Sequence, residues 1–345
     1  MTNEEVISAF FQNNIGAFCI GTNQIDLNAC LKHGVAVFNA PYSNTRSVVE
    51  LAIAEIIFLM RGIIDKSAGM HKGIWGKTAS GSNEIRGKKL GIIGYGNIGS
   101  QLSVLAEGLG MDVYYFDSEE KQGLGNATRC ETTEYLLNIA DVVSLHIDGR
   151  PENDNYFGKA YFDLMKPGAV FLNLSRGPVV DNSALKECIA SGKIRGTGID
   201  VFPYEPINNQ ETFKSELRGL PNTILTPHIG GSTQEAQANI ADFVPNQIIN
   251  YINRGNTASS VNFPNLTLPL LENAHRLIHI HENSLGIMAK INSVFAEHKI
   301  NVVGQYLKTN DLIGYVITDI DKKYNKELIK ALKSIEQTIK FRVLY

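Results

Sequence analysis

Between residues 88 and 117 the chain reads KKLGIIGYGNIGSQLSVLAEGLGMDVYYFD. A short apolar strand, Leu90 to Ile93, enters a turn with glycines at Gly94, Gly96 and Gly99. A helix then runs from Ile98 to Leu109, and a second strand, Val113 to Phe116, closes on Asp117. Each part has a physical task in a dinucleotide site. Gly94 permits the tight turn, Gly96 lets a pyrophosphate approach the backbone, and Gly99 lets helix and strand pack closely. The helix N-terminus offers free N–H groups and the positive end of its dipole to phosphate. A lone G-x-G-x-x-G says little, but strand, turn, helix, strand and acid in this order are specific. The segment predicts a Rossmann-type βαβ unit.

The closing acid selects the cofactor. At the strand end, Asp117 is where a carboxylate accepts both ribose hydroxyls and repels a 2′-phosphate. The residues that follow, Ser118, Glu119 and Glu120, supply no Arg for that phosphate. NAD is therefore expected rather than NADP.

Alternation of strand and helix continues through Val142–His146, Val170–Leu174, Ser183–Ser191, Gly196–Val201 and Thr223–Leu225. This pattern predicts a doubly wound parallel sheet, an α/β fold. Ahead of it, Ile15–Cys19 and Val35–Phe38 read as strands alternating with helices. The loop APYSNTRSV then leads into an apolar helix from about Val48 to Arg61. Thr233 to Arg254 reads as a long amphipathic helix that tolerates Pro245. Pro264 and Pro269 mark a linker. Beyond it the order βαββαβ, from Arg276 to Leu344, is ferredoxin-like. The expected domains are a partial flavodoxin-like substrate domain (1–43 and 232–272), a dinucleotide-binding domain (44–231) and a C-terminal regulatory domain (273–345).

The 345 residues carry a net charge of -3, which gives no reason to expect a nucleic-acid or anionic-membrane partner. The most apolar run, Leu51 to Met60, is too short to span a membrane and contains Glu55. The N-terminus lacks the basic region of a signal peptide. Cys19, Cys30, Cys130 and Cys188 show no C-x-x-C spacing, so reduced thiols and a cytoplasmic setting are expected.

Three separated spots carry chemistry. In LNLSRGPVVD, Arg176 follows a buried strand at the sheet edge where open α/β folds bind ligands. Its guanidinium fork suits an α-hydroxy carboxylate. In GIDVFPYEP, Asp200 ends a strand and Glu205 follows in a loop. In TPHIGGST, His228 precedes two glycines. Transfer of hydride from a carbinol carbon needs a group that takes the hydroxyl proton. Imidazole, with an ordinary pKa of about 6.5, works in both directions. Glu205 is the candidate that pairs with the ring, and Asp200 is better placed near a nicotinamide.

On these motifs, together with CIGTNQIDL, FNAPYSNTRSVVELAI, DVVSLH, MKPGAVFLNLSRG and HIHEN, the chain resembles the ACT-bearing D-3-phosphoglycerate dehydrogenase family of D-isomer-specific 2-hydroxyacid dehydrogenases. The resemblance covers essentially the whole chain. It implies NAD-dependent oxidation of 3-phosphoglycerate, inhibition by L-serine, and a homotetramer. It implies that Arg176 binds substrate, with His228 as acid/base and Glu205 as its partner. It places Asn97, Ile98, Asp117, Leu174, Ser175, Arg176, Asp200, His228, Ile229, Gly230 and Gly231 along the cofactor. Asn44 and Arg46 resemble the segment beside the substrate cleft, and Lys77 is a further candidate for the substrate phosphate. His281, Asn283 and Asn301 resemble residues that hold serine between paired ACT domains. No metal site is expected, since His279 and His281 have no third ligand at sensible spacing.

Several positions depart from the family pattern. Asn97 stands where relatives often carry His. Ser284-Leu285-Gly286 replaces Arg-Pro-Gly. By the resemblance the chain begins inside the substrate domain, which predicts an exposed sheet edge and fewer contacts to a substrate phosphate. Two alternatives stay open at this point: a glyoxylate-type or other 2-hydroxyacid dehydrogenase, and a catalytically weakened oligomer that binds NAD or serine. Trp75, alone in a polar loop, is read as an anchor for a neighbouring subunit.

Overall fold

In the computed structural model, residues 7, 13–22, 24–269 and 274–345 are described. The helix read ahead of Ile15 lies outside these residues. The chain divides into two compact units, residues 44–236 and residues 1–43 with 237–345.

The first segment contributes β1 (Asn14–Gly16), α1 (Leu27–Lys32) and β2 (Ala36–Phe38). The strands pair in parallel, Ile15 opposite Val37. The edge of β2 away from β1 is not open, which corrects the expected exposed edge on that side. Val37 N–H donates to Asn262 Oδ1 (2.9 Å), Asn262 Nδ2 donates to the Val35 carbonyl (2.9 Å), and Ser260 Oγ donates to the Val37 carbonyl (3.1 Å). One residue from the far end of the sequence thus satisfies two strand groups that burial would otherwise strand.

The unit of residues 44–236 opens with α2 (Thr45–Arg61) and α3 (Ile63–His71). Helix α2 begins three residues before the position read from the sequence. Arg46 and Ser47 are therefore in its first turn rather than in a loop. Helix α3 was not legible from the sequence because it is short and contains Gly69. There follow β3 (Lys89–Ile93), α4 (Asn97–Gly108), β4 (Asp112–Phe116), β5 (Thr128–Arg129), α5 (Thr133–Ile139), β6 (Val142–Leu145), α6 (Lys159–Leu164), β7 (Ala169–Asn173), α7 (Asn182–Ala190), β8 (Ile194–Ile199) and β9 (Thr223–Leu225). The seven strands form one sheet in the order β5-β4-β3-β6-β7-β8-β9, every neighbouring pair parallel. That is the doubly wound order, and its direction reverses between β3 and β6, where such sheets bind ligands. Apolar side chains cover both faces, so the strands are buried through and through. Thr132 caps α5 and Asp181 caps α7 through their side-chain oxygens.

The other unit continues with α8 (Gln234–Arg254), unbroken through Pro245. The segment around Pro264 and Pro269 is held, not loose. Thr257 Oγ1 donates to the Pro264 carbonyl (2.6 Å), and Phe263 and Leu268 are buried. Then come β10 (His275–Glu282), α9 (Ile287–Glu297), β11 (Val302–Thr309), β12 (Ile313–Ile320), α10 (Lys326–Lys333) and β13 (Thr338–Val343). The sheet order β11-β12-β10-β13, antiparallel throughout, is ferredoxin-like. One face of this sheet packs on α9 and α10 through Leu277, Ile291, Phe295, Ile320 and Leu328. The other face, with Ile278, Ile280 and Tyr315, packs on Phe38, Tyr251 and Phe263.

Candidate active site

The three glycines of the turn differ in what surrounds them. Gly94 has φ +92°, and a methyl group there would overlap the His146 carbonyl. A methyl group at Gly99 would overlap the Gly94 carbonyl oxygen, so the helix can sit this close only on glycine. Around Gly96 nothing lies within 4 Å of where a methyl group would stand. This is the glycine whose backbone faces free space. It is also the N-cap of α4, with no side chain occupying the helix amides. Those amides are available to phosphate.

Asp117 is fixed by two backbone donors. Tyr95 N–H donates to Oδ2 (2.7 Å) and Glu119 N–H to Oδ1 (2.9 Å). A carboxylate has about four acceptor positions, so two remain for ribose hydroxyls. Lys121 is a nearby cation, and its ammonium pairs with Glu119. These features fit a bound NAD: the α4 amides would hold its pyrophosphate and Asp117 its ribose. Asn97 is exposed at the turn and offers its backbone.

At the other end of the sheet edge, Asp200 organises the segment that carries the imidazole. Its side chain is 1% exposed. Oδ1 accepts from Thr226 Oγ1 (2.6 Å) and Ile229 N–H (2.8 Å), and Oδ2 accepts from Gly230 N–H (2.8 Å). Its backbone carbonyl accepts from His228 N–H (2.8 Å). Burial pushes the Asp200 carboxyl up, against the opposing effect of these donors. His228 itself has φ +53°, a left-handed conformation uncommon for a residue with a side chain and typical of over-determined functional sites. Thr226 was not singled out from the sequence; its place two residues before His228 was the available signal.

His228 Nδ1–H donates to Glu205 Oε2 at 2.8 Å. Glu205 Oε1 accepts from Phe202 N–H at 3.0 Å, which fixes the carboxylate. The hydrogen bond that His228 donates to Glu205 raises its pKa above the usual range, with burial opposing. Burial alone would raise Glu205, but the His228 bond, the Phe202 amide and the charges of His228 and Arg176 bring it below the ordinary carboxylate range. Arg176 stands just past β7, and its Nη1 donates to the Ser175 carbonyl (2.6 Å). Ser175 is buried and bonds Asn173, while Leu174 is buried in the core below. A cavity of about 630 Å³ borders the pair, lined by Phe202, Glu205, Phe213, Leu225, Pro227 and His228.

The structure thus brings Arg176, Glu205, Asp200 and the segment His228–Gly231 together. It also brings Asn44 there: a methyl group at Gly231 would overlap the Asn44 amide. Arg46 is exposed and pairs with Glu50 at 2.6 Å, one helical turn on. Lys77 lies in an exposed loop beside Trp75, which is 77% exposed.

In the ferredoxin-like unit the three serine candidates do not share one end of the sheet. His281 is fully buried opposite Gly314, with Nδ1 bonded to the Glu282 carbonyl (2.7 Å). Asn283 Nδ2 donates to the Asn310 carbonyl (2.8 Å). Asn301 precedes β11 at the end where Ile320 pairs with both Val302 and His275, and it donates to Asp321 (2.9 Å). From the His275 level to His281 the strand rises roughly 20 Å at its usual pitch. Among the described residues no group of three metal-ligating side chains is assembled.

Comparison with known proteins agrees with this architecture. Residues 53–230 match the NAD binding domain of the D-isomer specific 2-hydroxyacid dehydrogenases, and residues 277–340 match an AHAS small subunit-like ACT domain. The chain belongs to the D-isomer specific 2-hydroxyacid dehydrogenase family. Within it the similarity is to the D-3-phosphoglycerate dehydrogenases. That of Haemophilus influenzae is 52% identical over 331 residues, covering 96% of this chain and 81% of the relative. That of Dictyostelium discoideum is 47% identical over the same shares. Among solved structures, a D-lactate dehydrogenase from Aquifex aeolicus complexed with NAD and lactic acid matches with a TM-score of 0.67 at 27% identity, over 76% of this chain and 84% of that one.

Proposed function

We propose that the chain oxidises 3-phosphoglycerate to 3-phosphohydroxypyruvate, the entry step to serine, and that L-serine inhibits it. The carrying observation is the His228–Glu205 pair at 2.8 Å beside Arg176, on a segment anchored by Asp200. Bound NAD supplies the hydride acceptor. The Arg176 fork holds the substrate carboxylate and polarises the carbinol oxygen. The free Nε2 of His228 takes the hydroxyl proton, and Glu205 stabilises the imidazolium that forms. Asn44, Arg46 and Lys77 are proposed to serve the substrate side, Arg46 and Lys77 as cations for its phosphate.

For serine, the split of His281 and Asn283 from Asn301 supports a site completed by two chains, the end of β10 in one against the start of β11 in the other. A homotetramer is the proposed assembly, with exposed Trp75 as an anchor between subunits. A cytoplasmic setting is proposed on the free thiols of all four cysteines. Among the described residues no helix is long and apolar enough to cross a membrane.

The test is purified protein with 3-phosphohydroxypyruvate and NADH. NADH consumption suppressed by serine is expected. Turnover with unphosphorylated keto acids alone would assign the chain to another 2-hydroxyacid, and NADH binding without any turnover would leave a binding oligomer. His228→Gln should abolish turnover, by a factor on the order of 10²–10⁴, while NADH still binds. Trp75→Ala should reduce oligomer size.

A further inference from the structure

Helix α2 carries an acid where a core residue is expected. Glu55 is 2% exposed, and neither of its carboxyl oxygens has a hydrogen-bond partner among the described residues. Val48, Ala52 and Glu55 fall on one stripe of α2 by their spacing. The Val48 end of that stripe lies by Gly230, where an added methyl group would be 3.5 Å from Val48 and 2.9 Å from Asp200 Oδ2. The Glu55 end lies on β8. A methyl group at Gly198 would overlap Glu55 Oε2, so the acid occupies the space that this glycine leaves. Gly198 and Asp200 are two residues apart and share a side of the strand backbone. The carboxyl of Glu55 is therefore seated directly behind the residue that anchors His228–Gly231.

Its helix neighbours Ala52, Ile56 and Leu59 belong to a buried apolar cluster that also holds Val170 and Leu172 of the sheet. Charges on the neighbouring elements are engaged elsewhere. Arg195 of β8 donates to the Met60 and Gly81 carbonyls. Asp65 of α3 accepts from Asn222 N–H, and Glu107 of α4 from Asn126 N–H. Lys66 donates to the Arg61 carbonyl, and Arg61 and Glu50 on α2 itself are exposed. The charge that bears on Glu55 is Asp200. Burial and the nearby Asp200 charge both disfavour the carboxylate here, so the neutral acid is the stable form.

We propose that Glu55 is a positioning residue for the active site, held as the neutral acid, and that it acts through Asp200. While Glu55 is uncharged, Asp200 is the single anion behind the His228–Gly231 segment and keeps its grip on the Ile229 and Gly230 amides. Ionisation of Glu55 sets a second buried negative charge against Asp200. One of the two must then take up a proton or move, and the segment that seats His228 and borders the cofactor loosens. Burial first, and Asp200 second, push the Glu55 carboxyl up to about 8, so this change falls within an accessible pH range. The proposal rests on the role given above to His228 and its segment.

The test compares NADH affinity and 3-phosphohydroxypyruvate reduction from pH 6.5 to 9.5 in the unaltered protein and in Glu55→Gln, which is neutral at every pH. The unaltered protein is expected to lose NADH affinity with a midpoint near 8. One pH unit above that midpoint, Glu55→Gln should bind NADH about tenfold better than the unaltered protein, as a single titration requires. Reduction also needs protonated His228 and declines in both proteins, so NADH affinity decides: an alkaline decline in affinity of the same midpoint and depth in both overturns the proposal. Should the variant not fold, carbon-13 NMR of the unaltered chain labelled at the glutamate δ-carbon decides. One glutamate titrating near 8 supports the proposal, and a set confined to the ordinary range overturns it. NADH affinity is read without substrate, so a chain that binds NADH but reduces no keto acid refutes the functional reading and leaves this comparison decisive.

Discussion

The guanidinium of Arg276 holds the carboxylate of Asp319 through two bonds, Nε to Oδ1 at 2.7 Å and Nη2 to Oδ2 at 2.8 Å. The side chains are 1% and 0% exposed. The same guanidinium donates to the carbonyls of Arg254 (3.0 Å) and Pro269 (2.9 Å), so it also takes up the end of α8 and the segment after it. Removing one partner of such a pair leaves a buried charge alone, at about 3–5 kcal/mol. Arg276→Met should therefore lower the urea midpoint of the ferredoxin-like unit strongly. The double variant Arg276→Met with Asp319→Leu should recover much of the loss. A double variant no more stable than the single one would contradict this account.

Glu205→Gln should change both the rate and its pH dependence. Oxidation uses neutral His228, so its rate rises with pH through the raised imidazole value. Without the carboxylate that value falls back, and the acid limb should move to lower pH. The maximal rate should drop on the order of 10²–10⁴-fold, as when the carboxylate of a catalytic triad is lost. The pair also contributes to stability with a definite sign. The His228 part is full below 6.5 and lost as pH rises through the folded value; the Glu205 part is full above 4.5 and lost as pH falls through the folded value. Rates and thermal midpoints measured across pH 4 to 9 check both statements.

Two glycines of one turn should respond differently to the same substitution. Gly99→Ala drives a methyl group into the Gly94 carbonyl, an overpacking cost of about 1–3 kcal/mol. It should lower both the thermal midpoint and NADH affinity. Gly96→Ala meets open space in the protein, so the midpoint should hold while NADH affinity falls. Equal loss of stability in the two variants would show that the turn is not built as described.

Asn262→Ala removes the partners of Val37 N–H and the Val35 carbonyl together. Each buried group left unpaired costs roughly 1–3 kcal/mol. Hydrogen exchange should show the Val37 amide losing protection, with the amides of β3 unaffected.

The sequence read the sheet well because its strands are continuous apolar runs between turns, and the ferredoxin-like order because its periods alternate clearly. Helix α3 was missed for want of length. The start of α2 was placed late because SNTRS looks like a loop until Thr45 is seen to be buried. Arg176, Glu205 and His228 were legible as residue types suited to one chemistry, each beside a strand end. Thr226 and the left-handed backbone of His228 were not, since both follow from the geometry around Asp200. In the sequence Glu55 is only an interruption of an apolar run. What makes it notable is the proximity of Gly198, more than 140 residues away, and no local pattern records that.

The cover over β2 has a consequence for the order in which the chain can fold. Ser260 and Asn262 reach back 223 and 225 residues to Val37, and Phe38 shares its core with Tyr315. A ribosome delivers the first strands long before it delivers their cover. The residues between, 44–236, make a compact unit that can close on itself meanwhile. Contacts of such sequence separation form slowly. Until residues 260–263 emerge, the outer edge of β2 and the Phe38 ring lack the partners that cover them in the finished fold, and open strand edges of this kind are prone to mispairing.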